Sequence, residues 1–387
     1  MESQKLLQIL KCILNEKQGC DCAISAEEWP GLIKQAQRHN IVGILGCVLP
    51  LLSEEQMPSD QQKKYLHQLT MGAAMISSNQ LYAVEQIRDA FEKQGIWHVQ
   101  LKGCVTRQLY PQPDMRTMND LDILCKPSRQ KSIRKTMAQL GYEDFQEGRK
   151  HDIYRRKPFI RVEMHREMVA ARSPFSRYYR DVWSRCRPVQ GYQYACQMSV
   201  TDAFVYNLVH LAGHLEEGGV GIRFITDVYV YDHCAAVDKT LLRKELEKLG
   251  LWKLYCNVSC LAECWFSPKP PALSAEQEQL IRRLGDFVLA GGLFGKSGDG
   301  NALAVQKEGR VRYFLNACFP GFTEMRSMYS WLERWPILLP WSWFLRGIRS
   351  LLYRPGSVRG QLRKSINGDT QRGKELRQLY HDIGYDR

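Results

Sequence analysis

Hydrophobic residues recur at helical spacing along the first 92 residues of the chain. Four leucines between Ser3 and Asn15 fall on one helical face, namely Leu6, Leu7, Leu10 and Leu14. A longer amphipathic stretch runs from about Ser59 to Lys93. The pattern therefore predicts an N-terminal helical region over residues 1–92.

Short alternating runs replace the helical pattern between residues 93 and 170. The run W-H-V-Q-L at 97–101 predicts a strand, a short helix follows to Tyr110, and D-L-D-I-L at 120–124 predicts a second strand. Farther along, H-D-I-Y-R-R-K and F-I-R-V-E-M-H-R-E predict two strands that form a hairpin near Pro158. From about residue 171 the signals are mostly helical again, so we expect the sheet to be confined to residues 93–170.

These elements predict an α+β protein in which a small mixed sheet is flanked by N-terminal and C-terminal helical regions. The expected units are residues 1–92, a sheet-bearing core at 93–170, a helical domain at 171–330, and a Trp-rich and basic segment at 331–387. A chain of 387 residues is long enough for two or three packed units.

Two aspartates stand two positions apart in R-T-M-N-D-L-D-I-L at 116–124. On a strand, Asp120 and Asp122 emerge on one face, whereas Leu121 and Ile123 point into the opposite layer. Like charges this close repel each other, so a site that keeps them needs a cation.

A third carboxylate is available from the strand that contains V-E-M-H-R-E. Its alternation places four polar residues on one face, namely Arg161, Glu163, His165 and Glu167. Periodicity alone allows either Glu163 or Glu167 to join the aspartate pair. Three carboxylates predict a Mg²⁺ site, with Mn²⁺ as the alternative ion, and two such ions can clamp the attacking and leaving oxygens of a phosphoryl displacement.

Composition narrows the partners and the location of the protein. The 54 Lys and Arg residues against 41 Asp and Glu residues give a net charge of +13, which suits nucleotides, nucleic acid or an acidic membrane surface and does not choose among them. The 13 cysteines follow no framework spacing, and the N-terminus lacks the order of a secretory signal. Both features predict reduced thiols in a cytoplasmic protein.

Several motifs occur together in one order along the chain. They are L-K-G followed by a helix, L-Y-P, R-x-x-x-D-x-D-I-L, V-E-M-H-R, N-L-V-H-L-A-G-H and R-F-I-T-D. In combination, over roughly residues 5–350, they resemble the bacterial uncharacterised nucleotidyltransferase family within the DNA polymerase beta-like superfamily. The resemblance implies a nucleotidyltransferase core at 93–170, an NTP donor with ATP favoured, and an acceptor hydroxyl that the sequence does not identify.

The resemblance also implies roles for individual residues. Asp120, Asp122 and Glu163 become the catalytic residues and the ligands of two Mg²⁺ ions, which selects Glu163 over Glu167. Lys102 and Gly103 become the turn that holds the triphosphate, through backbone N–H groups at the start of the next helix. The chain departs from the superfamily at Cys104, where a Gly-Ser pair is usual, and in the long gap between Cys104 and Asp120.

The resemblance also implies that further residues bind nucleotide or acceptor where the helical region faces the sheet, namely His210, His214, Arg223 and Asp227. Arg116 is an additional candidate for substrate binding. The two histidines lie at i and i+4 on a predicted helix, but a metalloprotease would need a glutamate where Leu211 stands. A hydrogen-bonded core is the alternative for the histidines.

Each charged residue of the predicted site has a structural alternative. Arg116 either binds phosphate or pairs with Asp114, and Lys102 either touches phosphate or pairs with an acidic neighbour. The alternative for Glu163 is an ion pair with Arg161 or Arg166, and the alternative for the aspartates is a solvated strand edge. At the level of the whole protein, the alternative is a non-catalytic basic module that binds nucleic acid or a protein partner.

The most apolar part of the chain is W-P-I-L-L-P-W-S-W-F-L at 335–345. Eleven residues with two prolines are too short to span a bilayer, which needs about 20. The sequence that follows is basic, so residues 335–364 either make a peripheral membrane contact or dock onto the protein's own core.

Overall fold

The computed structural model is an α+β protein, as the sequence predicts, with one mixed sheet and helices packed around it. It describes residues 2–17, 19–20, 22–146, 151–158, 160–170, 173–296, 299–309, 312, 315–316, 318–353 and 370–386. All 13 cysteines lie in these ranges, and each is a free thiol.

Helices occupy the region before the first strand, as the leucine spacing predicts. They are α1 (Glu2–Leu14), α2 (Trp29–Arg38), α3 (Val42–Gly46) and α4 (Asp60–Lys93). The long helix α4 begins at a capping box, in which Ser59 accepts from the backbone N–H of Gln62 and the Gln62 side chain accepts from the backbone N–H of Ser59. This cap fixes where the helix starts.

Strands and two short helices follow. The strands are β1 (His98–Gln100), β2 (Leu121–Cys125), β3 (Asp144–Gln146), β4 (His151–Arg156), β5 (Ile160–His165), β6 (Cys186–Pro188) and β7 (Ala195–Met198). Helix α5 (Gly103–Thr106) lies between β1 and β2, and α6 (Gln130–Gln139) lies between β2 and β3.

In the described residues the strands form one sheet in the order β3-β4-β5-β2-β1-β7-β6. Strand β2 lies near its centre, antiparallel to β1 and parallel to β5. Strands β4 and β5 form the hairpin that the sequence predicts, with the turn at Pro158. The central position of β2 surrounds its polar residues with neighbours on both sides.

The sheet extends beyond the range expected from the sequence. Strand β7 pairs in parallel with β1, joining Ala195 to His98, and β6 pairs with β7 at the sheet edge. The prediction that the sheet ends near residue 170 is therefore wrong. Strands of three and four residues carry too little alternation to be recognised, and β7 pairs with a strand far away in the sequence.

The described residues after β7 are largely helical, as expected. The helices are α7 (Val200–Glu217), α8 (Ile222–Asp232), α9 (Lys239–Leu249), α10 (Trp252–Phe266), α11 (Ala275–Ala290), α12 (Asp299–Glu308), α13 (Phe322–Met328), α14 (Leu339–Tyr353) and α15 (Thr370–Asp382). Helix α7 begins at Ser199, whose side chain accepts from the backbone N–H of Asp202.

Two hydrophobic cores lie on opposite faces of the sheet. Leu121 and Ile123 of β2 belong to the core shared with α4 and α6, as the alternation predicts. Leu124 contributes to the larger core, which contains residues of α1, α2, α7, α8 and α10. Asp122 therefore emerges on the side of the sheet that the C-terminal helices cover.

The apolar segment near the C-terminus places its large side chains at the surface. The exposed fractions are 60% for Trp335, 84% for Ile337, 54% for Trp341 and 56% for Phe344. Docking of these side chains onto the protein's own core, one of the two sequence alternatives, is therefore wrong for these four residues. Within the described residues, no helix is long and apolar enough to cross a membrane.

Candidate active site

Asp122 is the most buried of the three carboxylates predicted to bind metal. Its Oδ1 accepts a hydrogen bond from Lys102 Nζ at 2.7 Å and lies 2.6 Å from His165 Nε2. Burial acts to raise the pKa of Asp122, but the Lys102 ammonium and the His165 hydrogen bond hold that pKa well below its usual range. Asp122 is therefore ionised, and Lys102 has the acidic partner that the sequence offered as its structural alternative.

Asp120 lies just before β2 and is partly exposed. Burial, together with the charges of Asp122 and Glu163, raises the pKa of Asp120 to about 6. The D-x-D pattern predicts this repulsion between like charges, and the structure contains it. A carboxylate whose charge is disfavoured in this way is stabilised by a bound cation.

Glu163 on β5 is the register partner of Asp122 on β2. Its Oε1 accepts from Arg161, and its Oε2 lies 3.3 Å from His151 Nε2 and 3.8 Å from His165 Nε2. The ion pair with Arg161, an alternative raised by the sequence, is thus formed. Glu167 lies beyond the end of β5 and is exposed, so the parallel pairing brings Glu163 to Asp122 and leaves Glu167 farther along the chain.

The turn after β1 brings Lys102 under Asp122. Lys102 has a φ of +49°, which L-residues seldom adopt, and this conformation directs the chain from the strand into α5. Gly103 follows without room for a Cβ, because the side chains of Arg116 and Met118 lie against it. The sequence L-K-G is therefore needed here for backbone geometry as well as for its lysine.

Arg116 and Asp227 form a buried, bidentate ion pair. Arg116 Nε and Nη2 donate to the two Asp227 oxygens at 2.8 and 2.7 Å, and Tyr110 also donates to Asp227 at 2.8 Å. The sequence alternative in which Arg116 pairs with Asp114 is wrong, because its partner comes from α8. This pair joins the loop before β2 to the C-terminal helices.

Arg223 lies beside this pair and is also buried. Its Nη1 donates to the backbone carbonyl of Thr117 at 3.2 Å. Burial and the nearby Arg116 charge lower the pKa of Arg223 to about 10. Arg223 therefore supports the segment that leads into the two aspartates.

A cavity of about 870 Å³ opens between β5 and helix α7. Its lining includes Lys102, Glu163 and Glu167 on the sheet side and His210 and His214 on the helix side. The structure thus brings the two histidines to the sheet, as the sequence predicts. Within the described residues, the lining does not include the other predicted site residues, namely Gly103, Arg116, Asp120, Asp122, Arg223 and Asp227.

His210 and His214 contact each other across one turn of α7. Their Nε2 atoms are 3.1 Å apart, and His214 Nδ1 lies 3.3 Å from a Glu217 oxygen. Burial, with the nearby Lys102 and His214, lowers the pKa of His210 well below its usual value, so this ring is neutral. The pair presents imidazole nitrogens to the cavity wall.

Comparison with protein families gives one match that covers most of the chain. A family model described as an uncharacterised nucleotidyltransferase matches residues 25–267. The chain belongs to this family. Neither the curated proteins nor the solved structures contain a protein that matches the chain.

Membership of the nucleotidyltransferase family supports a nucleotidyltransferase role and implies a nucleotide substrate. The matched range contains α2 to α10 and all strands of the described sheet. It therefore includes the carboxylates and both walls of the cavity, and it ends before the exposed Trp-rich segment.

The donor atoms at the strand ends fit a divalent cation. Asp120 carries a charge that its surroundings disfavour, and carboxylate oxygens are the ligands that Mg²⁺ prefers. His151, Glu163 and His165 each offer one donor atom, and the three atoms lie within 4.8 Å of one another. The residues present thus suit a metal, although two of these donors are imidazoles.

The site residues predicted from the sequence do not include His151 and His165. Strand alternation places His165 on the face of Glu163, whereas the sequence predicts for His151 only that it belongs to a strand. The signal was present, because a hairpin with its turn at Pro158 pairs His151 with His165 and Ile153 with Glu163. Register counting from the turn would have found both imidazoles.

Proposed function

We propose that the protein transfers a nucleoside monophosphate from an NTP to an acceptor hydroxyl and releases pyrophosphate. The observation that carries the proposal is the convergence of Asp120, Asp122 and Glu163 at the sheet face beside the cavity, in a chain of the nucleotidyltransferase family. Such a cluster of like charges weakens the fold unless a bound cation neutralises it, and clusters of this kind are common at functional sites.

In the proposed reaction the acceptor oxygen forms a bond to the α-phosphorus of the NTP. The bond from that phosphorus to the oxygen shared with the β-phosphate breaks, and pyrophosphate leaves with the electron pair. Glu163 accepts the proton of the acceptor hydroxyl, which its position between the sheet and the cavity supports. Atoms and charges balance without any redox partner.

Asp120 and Asp122, with Glu163, would hold two Mg²⁺ ions. When bound, the ions supply charge neutralisation at the attacking and leaving oxygens. Two residues would have further roles in this site. Lys102 keeps Asp122 ionised and in place, and the disfavoured charge of Asp120 supplies much of the affinity for a cation.

The substrates would occupy the cavity between β5 and α7. Its volume of about 870 Å³ is in the range of cavities that hold a ligand the size of a nucleotide. We propose that His210 and His214 contact the acceptor or the nucleotide from the α7 side. Arg116, Arg223 and Asp227 would act one layer behind, by holding the loop that leads to Asp120.

The test uses the purified full chain with each labelled NTP, Mg²⁺ and a panel of hydroxyl acceptors. Mass analysis identifies any acceptor that gains a nucleoside monophosphate, and pyrophosphate release is followed in parallel. Asp120→Asn should abolish both signals. If the variant keeps every activity of the wild type, the enzyme proposal fails.

The same variant tests the binding-module alternative. A basic scaffold would bind nucleic acid with an affinity that falls steeply as salt rises, because released counterions drive the binding. That affinity would not depend on Asp120. Nucleic-acid binding that is unchanged in Asp120→Asn, together with no transfer to any acceptor, would favour the scaffold.

We also propose a peripheral membrane contact through residues 335–364, of which 354–364 lie outside the described residues. The described part is the Trp-rich segment at 335–353. Trp335, Ile337, Trp341 and Phe344 are exposed, and the segment contains two arginines and no acidic residue. Exposed aromatic side chains beside arginines suit the headgroup region of an anionic bilayer. This contact would hold the enzyme at a membrane surface, and the Trp-rich segment would take no part in the reaction.

A further inference from the structure

We infer that His151, Glu163 and His165 form a binding site for a borderline transition-metal ion of the Zn²⁺ or Co²⁺ class. The existence of this site is independent of the proposed function. Its role rests on the proposed function: because Glu163 belongs to both sites, this ion would take the place of the Mg²⁺ ion at the acceptor side of the reaction.

Strand pairing sets the geometry of the three donors. His151 and His165 are directly opposite in the antiparallel pair β4-β5, and their ring centroids are 4.9 Å apart. Glu163 lies two positions before His165 on the same face of β5. Two rigid strands therefore carry all three side chains, so little ordering is needed to bind an ion.

The two carboxylate oxygens of Glu163 have different neighbours, and only one of them is placed to bind an ion. Oε1 accepts from Arg161, whereas Oε2 lies 3.3 Å from His151 Nε2 and 3.8 Å from His165 Nε2. A tetrahedral ion with bonds of 2.0–2.1 Å holds its donors about 3.3 Å apart. The two separations from Glu163 are close to this value, and all three donor atoms lie within 4.8 Å of one another, so binding would draw the imidazoles closer together.

Neighbouring groups contact two of the three donors. His165 Nε2, which faces Glu163, also lies 2.6 Å from Asp122 Oδ1, so an ion bound to this nitrogen would replace that hydrogen bond and would lie beside the Asp122 carboxylate. Arg161 fixes the Glu163 carboxylate plane. His151 Nδ1 is buried and has no hydrogen-bond partner among the described residues, which leaves this ring available for an ion.

The donor atoms of this site favour Zn²⁺ or Co²⁺ over Mg²⁺. Imidazole suits Zn²⁺, Co²⁺ and similar ions, whereas Mg²⁺ demands oxygen ligands and keeps several waters. Two imidazoles and one carboxylate are also the protein ligands of many catalytic zinc sites, where the remaining position is open. Here an open position would face the cavity, which all three residues line.

The test is a titration of the metal-free full chain with Co²⁺ in an excess of Mg²⁺, followed by visible absorption. We expect one equivalent to bind, with the spectrum of nitrogen and oxygen ligands and without a thiolate charge-transfer band. His151→Gln and His165→Gln should each weaken binding by about 100-fold or more, since loss of a mere supporting group already costs roughly 10–100-fold.

His233→Gln is the matched control, because His233 lies 3.6 Å from Glu263 as a simple surface pair. Its Co²⁺ affinity should equal that of the wild type. The inference is overturned if the wild type binds no stoichiometric Co²⁺, if the bound ion shows thiolate ligands, or if both cluster variants bind as tightly as the wild type. Should His165→Gln not fold, His151→Gln decides, because His151 is partly exposed.

Asp120→Asn separates this inference from the proposed function. The variant should lose nucleotide transfer and keep Co²⁺ binding, since Asp120 is not one of the three donors. Stoichiometric Co²⁺ binding by a wild type that transfers no nucleotide would support the site and refute the proposed function. Transfer without any Co²⁺ binding would refute the site alone.

Discussion

Asp122 and Glu163 are register partners on the parallel strands β2 and β5, and their side chains leave the same face of the sheet. Asp120 lies two positions before Asp122, and the negative charges of Asp122 and Glu163 both raise the pKa of Asp120. The pairing of the two strands fixes the backbone positions of Asp122 and Glu163 next to each other. Repulsion among these carboxylates therefore lowers the stability of the fold, as unfavourable interactions at functional sites commonly do.

The pH dependence of stability should reveal that cost. The pKa of Asp120 is raised from 3.8 to about 6 by burial, Asp122 and Glu163, so the folded chain binds this proton more tightly than the unfolded chain does. The resulting stabilisation is complete below about pH 4 and is lost as the pH rises through about 6. Asp120→Asn, which removes the charge, should therefore raise the melting temperature at pH 8.

The gain in Asp120→Asn corresponds to about 3 kcal/mol at most, and it should shrink toward zero at pH 4. Thermal unfolding with a chelator present measures it. Added Mg²⁺ should stabilise the wild type more than the variant, because the ion relieves the same repulsion. A variant that is less stable than the wild type at pH 8 would contradict this account of Asp120.

The buried pair of Arg116 and Asp227 should be a major contributor to stability. Asp227→Ala leaves an uncompensated guanidinium in the core and should lower the free energy of unfolding by about 3–5 kcal/mol. Replacing both residues with apolar ones should recover much of that loss. Urea denaturation measures both effects.

Glu247→Ala is the control, because Glu247 pairs with Arg243 on the exposed face of α9. It should change the free energy of unfolding by less than about 0.5 kcal/mol. If Asp227→Ala were as mild as this control while nucleotide binding was lost, Asp227 would bind substrate, as the sequence first suggested, rather than hold the fold.

Local patterns in the sequence were enough to predict the face of β2 on which Asp122 lies and the hairpin that contains Glu163, whereas the choice of Glu163 over Glu167 came from the family resemblance. Alternation with a period of two puts Asp122 on one face of β2 and Leu121 on the other, and the turn at Pro158 defines the hairpin that contains Glu163. These features depend on neighbours within a few residues. They can be derived without knowledge of the rest of the chain.

Contacts between distant residues were not predictable in the same way. Arg116 and Asp227 are 111 positions apart, and the sequence offered only the nearby Asp114 as a partner for this arginine. Strand β7 likewise pairs with β1 across about 97 positions and has only four residues of its own. Such pairings depend on how whole layers pack, which no short window of sequence contains.

The Trp-rich segment should bind anionic vesicles more strongly than neutral vesicles. Co-sedimentation with phosphatidylglycerol vesicles should exceed that with phosphatidylcholine vesicles, because arginines flank the exposed aromatics. Replacing both Trp341 and Phe344 with Ala should remove most of the binding. Tyr82→Ala, at an equally exposed aromatic on α4, should not. Equal binding by the wild type and the double variant would exclude this surface.

The choice between Glu163 and Glu167 gives the sharpest kinetic test of the site. Glu163 is buried beside Asp122, whereas Glu167 is an exposed residue past the end of β5. Glu163→Gln preserves the volume and removes the charge. If Glu163 takes the acceptor proton, its loss acts in the transition state, so kcat and kcat/KM should fall together, by roughly 10² or more.

ATP should still bind to Glu163→Gln, because Asp120 and Asp122 remain, and a shift in melting temperature with ATP and Mg²⁺ measures this directly. Glu167→Gln is the matched control, and its kcat should stay within about two-fold of the wild type, since rim charges of this kind contribute little. The reverse result, an inactive Glu167 variant beside an active Glu163 variant, would mean that the reaction uses the outer cavity wall. The register of β2 and β5 would then have no part in catalysis, and the carboxylate convergence at their paired residues would be a feature of the fold alone.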